Sequence, residues 1–234
     1  MLLNLVFLFL LLFFLFLLSR KISIVIYRSS YLITKNRNLS VGILTTIILP
    51  GTIIHELGHF FMATILRVPT GELTIIPTIE KNGDIKAGKL ILASVDPIRQ
   101  ILIGLAPMII GLIIVYFIGK FFLSNITLST INNHLLSILL GLYLLFITSI
   151  TMFSSKKDLE SLVVVGPLTL IIATSLYITG VRVYFEKSLT GKISSILSAV
   201  DFYLLIAILI SITIYFLLYT NLSLWQKILR RKIS

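Results

Sequence analysis

The sequence predicts an all-α polytopic membrane protein with about six transmembrane helices and a small β-hairpin insert between the second and the third. Three observations predict it. Of the 234 residues 57% are hydrophobic and only 12% are charged, whereas ordinary globular domains carry about 25% charge. Mean hydropathy is +1.08. The apolar residues are also gathered into runs of about 20, the length that crosses the hydrocarbon core of a bilayer. So few solvating groups exclude a soluble core-and-surface protein. The absence of cysteine excludes disulfide scaffolds, thiolate metal sites and a cysteine nucleophile.

The first run, Leu2 to Leu18, lacks a basic leading region. Ser19-Arg20-Lys21 after it is a poor cleavage site, so the run is expected to stay as an anchor. Ser29 to Ser40 reads as a polar loop, and Val41 to Leu66 as the second span. Beyond it the texture changes. Gly71 to Pro77 (GELTIIP) and Lys89 to Val95 (KLILASV) are rich in residues that favour strands, and Asn82-Gly83 lies between them. Asn-Gly between such runs is a hairpin signal. The strands are too short for an independent domain and are expected at the membrane face.

Asp96-Pro97 reads as the N-cap and first residue of the third span, Ile98 to Ile118. The fourth span is Ile131 to Thr151. The fifth, Ser161 to Thr179, contains Gly166-Pro167, a pair that kinks or splits it. Asp201 is expected to open the sixth, Phe202 to Tyr219. The organisation is therefore an anchor span with a basic loop at 1–40, a core at 41–170, and C-terminal spans with a basic tail at 171–234.

The net charge is +11. Many of the basic residues stand at the ends of apolar runs: Arg20, Lys21, Arg28, Lys35 and Arg37, then Lys227, Arg230, Arg231 and Lys232. That placement fits anionic lipid headgroups and control of topology. No nucleic-acid-binding motif accompanies the charge, so nucleic acid is not an expected partner.

The second span holds His55-Glu56-Leu57-Gly58-His59, an HExxH pattern. Residues i and i+4 share one face of a helix, so His55 and His59 can present two imidazole nitrogens to one metal ion. Glu56 lies beside the pair and can take a proton from metal-activated water. Two His and a Glu inside an otherwise apolar span are costly there and mark function by default. A metal-free structural cluster and a catalytically dead site are the bland readings of the same residues.

Catalytic Zn²⁺ takes a third protein ligand and keeps an open position. The remaining histidine, His134, starts the fourth span and reads as interfacial. Glu72 follows the metal helix too closely to fold back, Glu80 and Asp84 flank the hairpin turn, and Glu186 sits among basic residues. Asp96 and Asp201 read as helix starts. Asp158 and Glu160 lie in the polar break between the fourth and fifth runs, where irregular backbone can bring a carboxylate to an embedded site. Both stay open as the third ligand at this point.

A membrane-embedded HELGH followed about a hundred residues later by an Asp between spans resembles the site-2 protease family of intramembrane zinc metalloproteases. The resemblance runs from Val41 to Leu170. It includes Pro50-Gly51 before the motif, Phe60-Phe61-Met62-Ala63 after it, the strand-rich insert, and Gly104-Leu105-Ala106-Pro107 in the third span. It implies Zn²⁺ held by His55, His59 and Asp158, with Glu56 as the catalytic base. The family's second motif usually reads Asn and Pro followed by Leu-Asp-Gly, whereas here Leu159-Glu160 follows Asp158.

The expected activity is therefore zinc endopeptidase cleavage of transmembrane or membrane-proximal segments of protein substrates. The setting is the lipid bilayer, with a prokaryotic cell membrane as the expected location. Oligomeric state is left open. Two rivals stand beside this reading. One is a membrane-anchored gluzincin with an aqueous-facing site and Glu160 as third ligand. The other is a non-catalytic scaffold or metal transporter, although spans other than the second carry no central acid or His to mark an ion path.

Overall fold

A computed structural model describes residues 2–74, 78–79, 85–86, 89–92, 95–124, 131–153, 171–172, 174–176, 178–180 and 186–228. Among these residues five helices are long and apolar enough to cross a membrane. Of the expected fifth span only 171–172, 174–176 and 178–179 are described.

Helix α1 covers Leu2–Thr34. It runs on through Ser19-Arg20-Lys21 and through the first half of the segment expected as a polar loop. The reason lies in the hydroxyls. Ser19, Ser30 and Thr34 donate to the carbonyls of Phe16, Ile26 and Ser30, each at 2.9 Å. A hydroxyl bonded back to its own helix is no reason to leave the helix. The Arg20 guanidinium lies 5.4 Å from the centroid of the Phe16 ring, one turn back. Helix α1 is thus about 50 Å long at 1.5 Å per residue.

Only Lys35 and Asn36 separate α1 from α2, Arg37–Ile65. Lys35 has φ 51° and turns the chain. Asn36 caps α2, its Oδ1 accepting from the N–H of Asn38 at 2.9 Å and of Leu39 at 3.3 Å. The hydroxyls of Thr34 and Ser40 meet across the turn at 2.8 Å, so the two helices return antiparallel. Pro50 lies inside α2, which remains helical on both sides of it.

After α2 come four short strands: β1 Thr70–Thr74, β2 Thr78–Ile79, β3 Ile85–Lys86 and β4 Lys89–Leu92. β1 pairs antiparallel with β4, Leu73 opposite Leu90, and β2 with β3, Ile79 opposite Ile85. The Asn82-Gly83 turn expected here lies outside the described residues.

Helix α3 is Pro97–Ile118, followed by a π-helical turn, Gly119–Leu123. Asp96 caps it as expected: its Oδ2 accepts from the Arg99 N–H at 3.1 Å, and Pro97 supplies the first helical residue. Helix α4, Ile131–Thr151, matches the fourth run. Helix α5, Lys187–Ile228, is much longer than the run from Phe202 to Tyr219. Asp201 does not open it but lies well inside it, 5% exposed. The stretch from Lys187 to Asp201 mixes Leu, Ile, Ala and Lys with serines and a single glycine, and no proline lies in α5, so nothing there forces the helix to stop.

The interior is a cluster drawn from four helices. It includes Leu8, Leu12 and Leu15 of α1, Val115 of α3, Leu145 of α4, and Leu204 and Ala207 of α5. The outside is as apolar as the inside. Phe9, Phe13 and Phe14 of α1, Phe117 of α3 and Phe216 of α5 are all more than half exposed. A soluble monomer does not leave such contiguous apolar surface to water, whereas lipid covers it at no cost. Near the end of α5, Tyr219 and Trp225 are half exposed and Lys227 follows, the amphipathic sequence favoured at a membrane interface.

Candidate metal centre

The central part of α2 is held by two close contacts made by glycines. At Gly51 a Cβ would lie 2.7 Å from the Ile147 carbonyl oxygen of α4 and against the Thr151 hydroxyl. At Gly58 a Cβ would lie 3.0 Å from the Pro107 Cα of α3 and 3.2 Å from its nitrogen. Both sites therefore require the missing side chain, because the neighbour is backbone and cannot move aside. They clamp the HExxH turn between two helices, with α3 antiparallel to α2. The Tyr143 hydroxyl of α4 adds a bond to the Ile47 carbonyl of α2 at 2.7 Å.

On the clamped segment His55 is 2% exposed, Glu56 is 3% exposed, and His59 is half-buried. The imidazoles of His55 and His59 stand edge to face, with centroids 4.8 Å apart. Their Nε2 atoms are 3.2 Å apart. The Nδ1 of His59 lies 2.9 Å from the carbonyl oxygen of Ile103 on α3. A carbonyl only accepts, so Nδ1 carries the hydrogen and the Nε2 of neutral His59 carries a lone pair. That lone pair is aimed at His55.

This arrangement fits a metal ion. Zinc binds histidine nitrogen at about 2.0–2.1 Å with tetrahedral angles, which places two such nitrogens about 3.3 Å apart. The Nε2 atoms stand within about a tenth of an ångström of that spacing. The same spacing also admits a direct hydrogen bond, the Nε2–H of His55 donating to His59. A metal would displace that single proton. The carbonyl behind His59 is the kind of outer partner that orients metal-binding histidines and raises their basicity.

The other sequence candidates separate from the pair. Glu72 is exposed on β1, Asp96 is the α3 cap and forms an ion pair with Arg99 at 3.2 Å, and Glu186 is exposed. His134 is exposed at the start of α4. Among the described residues no group of three His, Cys, Asp or Glu is gathered around one point. Asp158 and Glu160, the expected third ligands, lie outside the described residues, as do Glu80 and Asp84.

Family models, curated proteins and solved structures offer no match to this chain. The site therefore rests on its own chemistry.

Sequence reasoning missed the Ile103 carbonyl. A signal for it was present in Pro107, four residues further along α3. A helical proline has no N–H to give to the carbonyl at i−4 and leaves it for another donor. The partner that takes it could not be read from one sequence.

Site depth also follows from α2. His59 is six residues and His55 ten residues before the last residue, Ile65. At the helical rise these are about 9 Å and 15 Å from the helix end. Arg67 follows directly in a turn with φ 54°.

Proposed function

We propose that the chain is an integral-membrane zinc endopeptidase of the site-2 protease kind, cutting protein segments within or beside the bilayer. The observation that carries this is the pair of Nε2 atoms 3.2 Å apart on a helix apolar enough to span a membrane, with buried Glu56 next to the pair. His55 and His59 would hold Zn²⁺, and Asp158 would complete the site, with Glu160 the runner-up. When bound, the metal lowers the pKa of a coordinated water to about 7 and polarises the scissile carbonyl.

The chain's own residues supply the rest. Glu56 takes a proton from the attacking water onto a carboxylate oxygen and passes it to the nitrogen of the leaving amine. The helices packed around α2 keep bulk water from the site and hold the imidazoles in one geometry. A substrate helix bonds its own carbonyls internally and must unwind before attack. β1 pairs only with β4 among the described strands, so its other edge can add an unwound segment by main-chain hydrogen bonds. The strands would form one hairpin insert closed at Asn82-Gly83. The sixth span would be the Ser161 to Thr179 run, and a prokaryotic cell membrane the setting.

The test is Glu56→Gln, assayed on a model transmembrane substrate with zinc counted on the same sample. We expect cleavage to vanish and zinc to remain at about one per chain. Wild-type turnover by the variant would remove Glu56 from the chemistry, and a zinc-free wild-type protein would remove the metal reading.

A further inference from the structure

We propose that Pro107 is a positioning residue for the metal-binding pair: by lacking an N–H it leaves the Ile103 carbonyl to His59 and so fixes which nitrogen of His59 faces His55. The inference deepens the metalloprotease reading and rests on it for its consequence, though not for its geometry.

The argument starts from backbone accounting. In a regular helix the carbonyl of residue i accepts from the N–H of residue i+4. Residue i+4 from Ile103 is Pro107, which has none. Ile103 is 1% exposed, so water does not reach this part of α3 freely. A buried carbonyl left without a donor is unfavourable, because it has given up water and gained nothing. His59 Nδ1, 2.9 Å away, is the donor that meets it.

The same proline brings the donor close. Its Cα and nitrogen are the atoms that Gly58 packs against, one residue before His59. One residue of α3 therefore does two things. It lets α2 approach and it provides the acceptor that approach requires.

The consequence concerns His59. With Nδ1–H committed to Ile103, the Nε2 of neutral His59 is always the lone-pair nitrogen. An unanchored imidazole divides between two tautomers and turns about its bonds, so only part of its population would present Nε2 to the His55 side. Outer partners of this kind change metal affinity by about 10–100-fold. Alanine at 107 restores the N–H, draws the Ile103 carbonyl back toward the helix axis, and gives it a competing donor.

The test separates the N–H from the ring. One variant is Pro107→Ala. The second carries lactic acid at 107, an ester with a methyl side chain and neither ring nor N–H. Two readings are taken from each: the ring ¹⁵N shifts of His59 in metal-free protein, which report the tautomer, and zinc affinity by chelator competition. We expect Pro107→Ala to lose the pure Nδ1–H signature and to bind zinc at least 10-fold more weakly. The ester should keep both. Wild-type shifts and affinity in Pro107→Ala overturn the proposal. Loss of both in the ester as well overturns it in favour of ring packing. If the shifts follow the expected pattern but wild type binds no zinc, the positioning role stands and the metalloprotease reading falls.

Discussion

Replacing Gly58 by alanine tests whether the contact between α2 and α3 sets the geometry of the histidine pair. The new methyl carbon would lie 3.0 Å from Pro107 Cα and 3.5 Å from its Cβ. Carbon atoms rest at about 3.5–4.0 Å, so the helices must separate by about 0.5–1 Å along that line. His59 Nδ1 is 2.9 Å from the Ile103 oxygen. The same separation takes it to about 3.4–3.9 Å, beyond a useful hydrogen bond. Three effects then compete. Alanine gains about 1 kcal/mol over glycine in helix propensity. Overpacking against backbone costs about 1–3 kcal/mol. The lost bond costs about 0.5–1.5 kcal/mol. The costs win, and we expect a net destabilisation of about 0.5–3.5 kcal/mol. Zinc affinity should fall by about 10-fold or more. The assay is thermal unfolding in detergent together with chelator competition. Gly42→Ala is the control, because a Cβ there meets nothing within 4 Å. Wild-type stability and zinc affinity in Gly58→Ala would refute the claim that this contact positions His59.

Four further predictions stand with it. His55→Ala and His59→Ala should each lose zinc, measured as metal per purified chain; full retention in either ends the two-histidine site. Thr74→Pro removes a backbone donor from β1 and should slow cleavage several-fold with zinc unchanged, and unchanged cleavage of several substrates would place substrate binding elsewhere. Among the described residues the Oδ1 of buried Asp201 has no hydrogen-bond partner. Asp201→Leu should therefore stabilise α5 packing by about 1–3 kcal/mol in denaturant melts, and a marked destabilisation would assign that carboxyl a partner or a role. Asp158→Ala beside Glu160→Ala decides the third ligand: loss of zinc and cleavage with the Glu160 change alone would transfer that role to Glu160.

The central spans were legible because hydropathy and backbone signals agree there. Asp96-Pro97 starts α3, and the apolar run from Ile131 to Thr151 coincides with α4. The two long helices were not. Hydropathy reports which residues prefer lipid, not where helical hydrogen bonding stops. α1 passes through Arg20 and Lys21, and α5 begins at Lys187, because neither stretch contains a proline. Asp201 looked like a cap only because the hydrophobic run starts after it. At the site, the two imidazoles followed from i, i+4 spacing alone. What holds them came from residues about fifty positions away, where an apolar helix carries a proline in its interior.

That dependence bears on how a cut could be made in a bilayer. The pair is not buried at the middle of a long span but stands about 9–15 Å from the end of α2. The same end leads through Arg67 into β1, which packs with β4 beside α2. On the proposed reading, a segment added to the β1 edge would lie against the end of α2 nearer the pair, and need unwind only over the turns nearest that end.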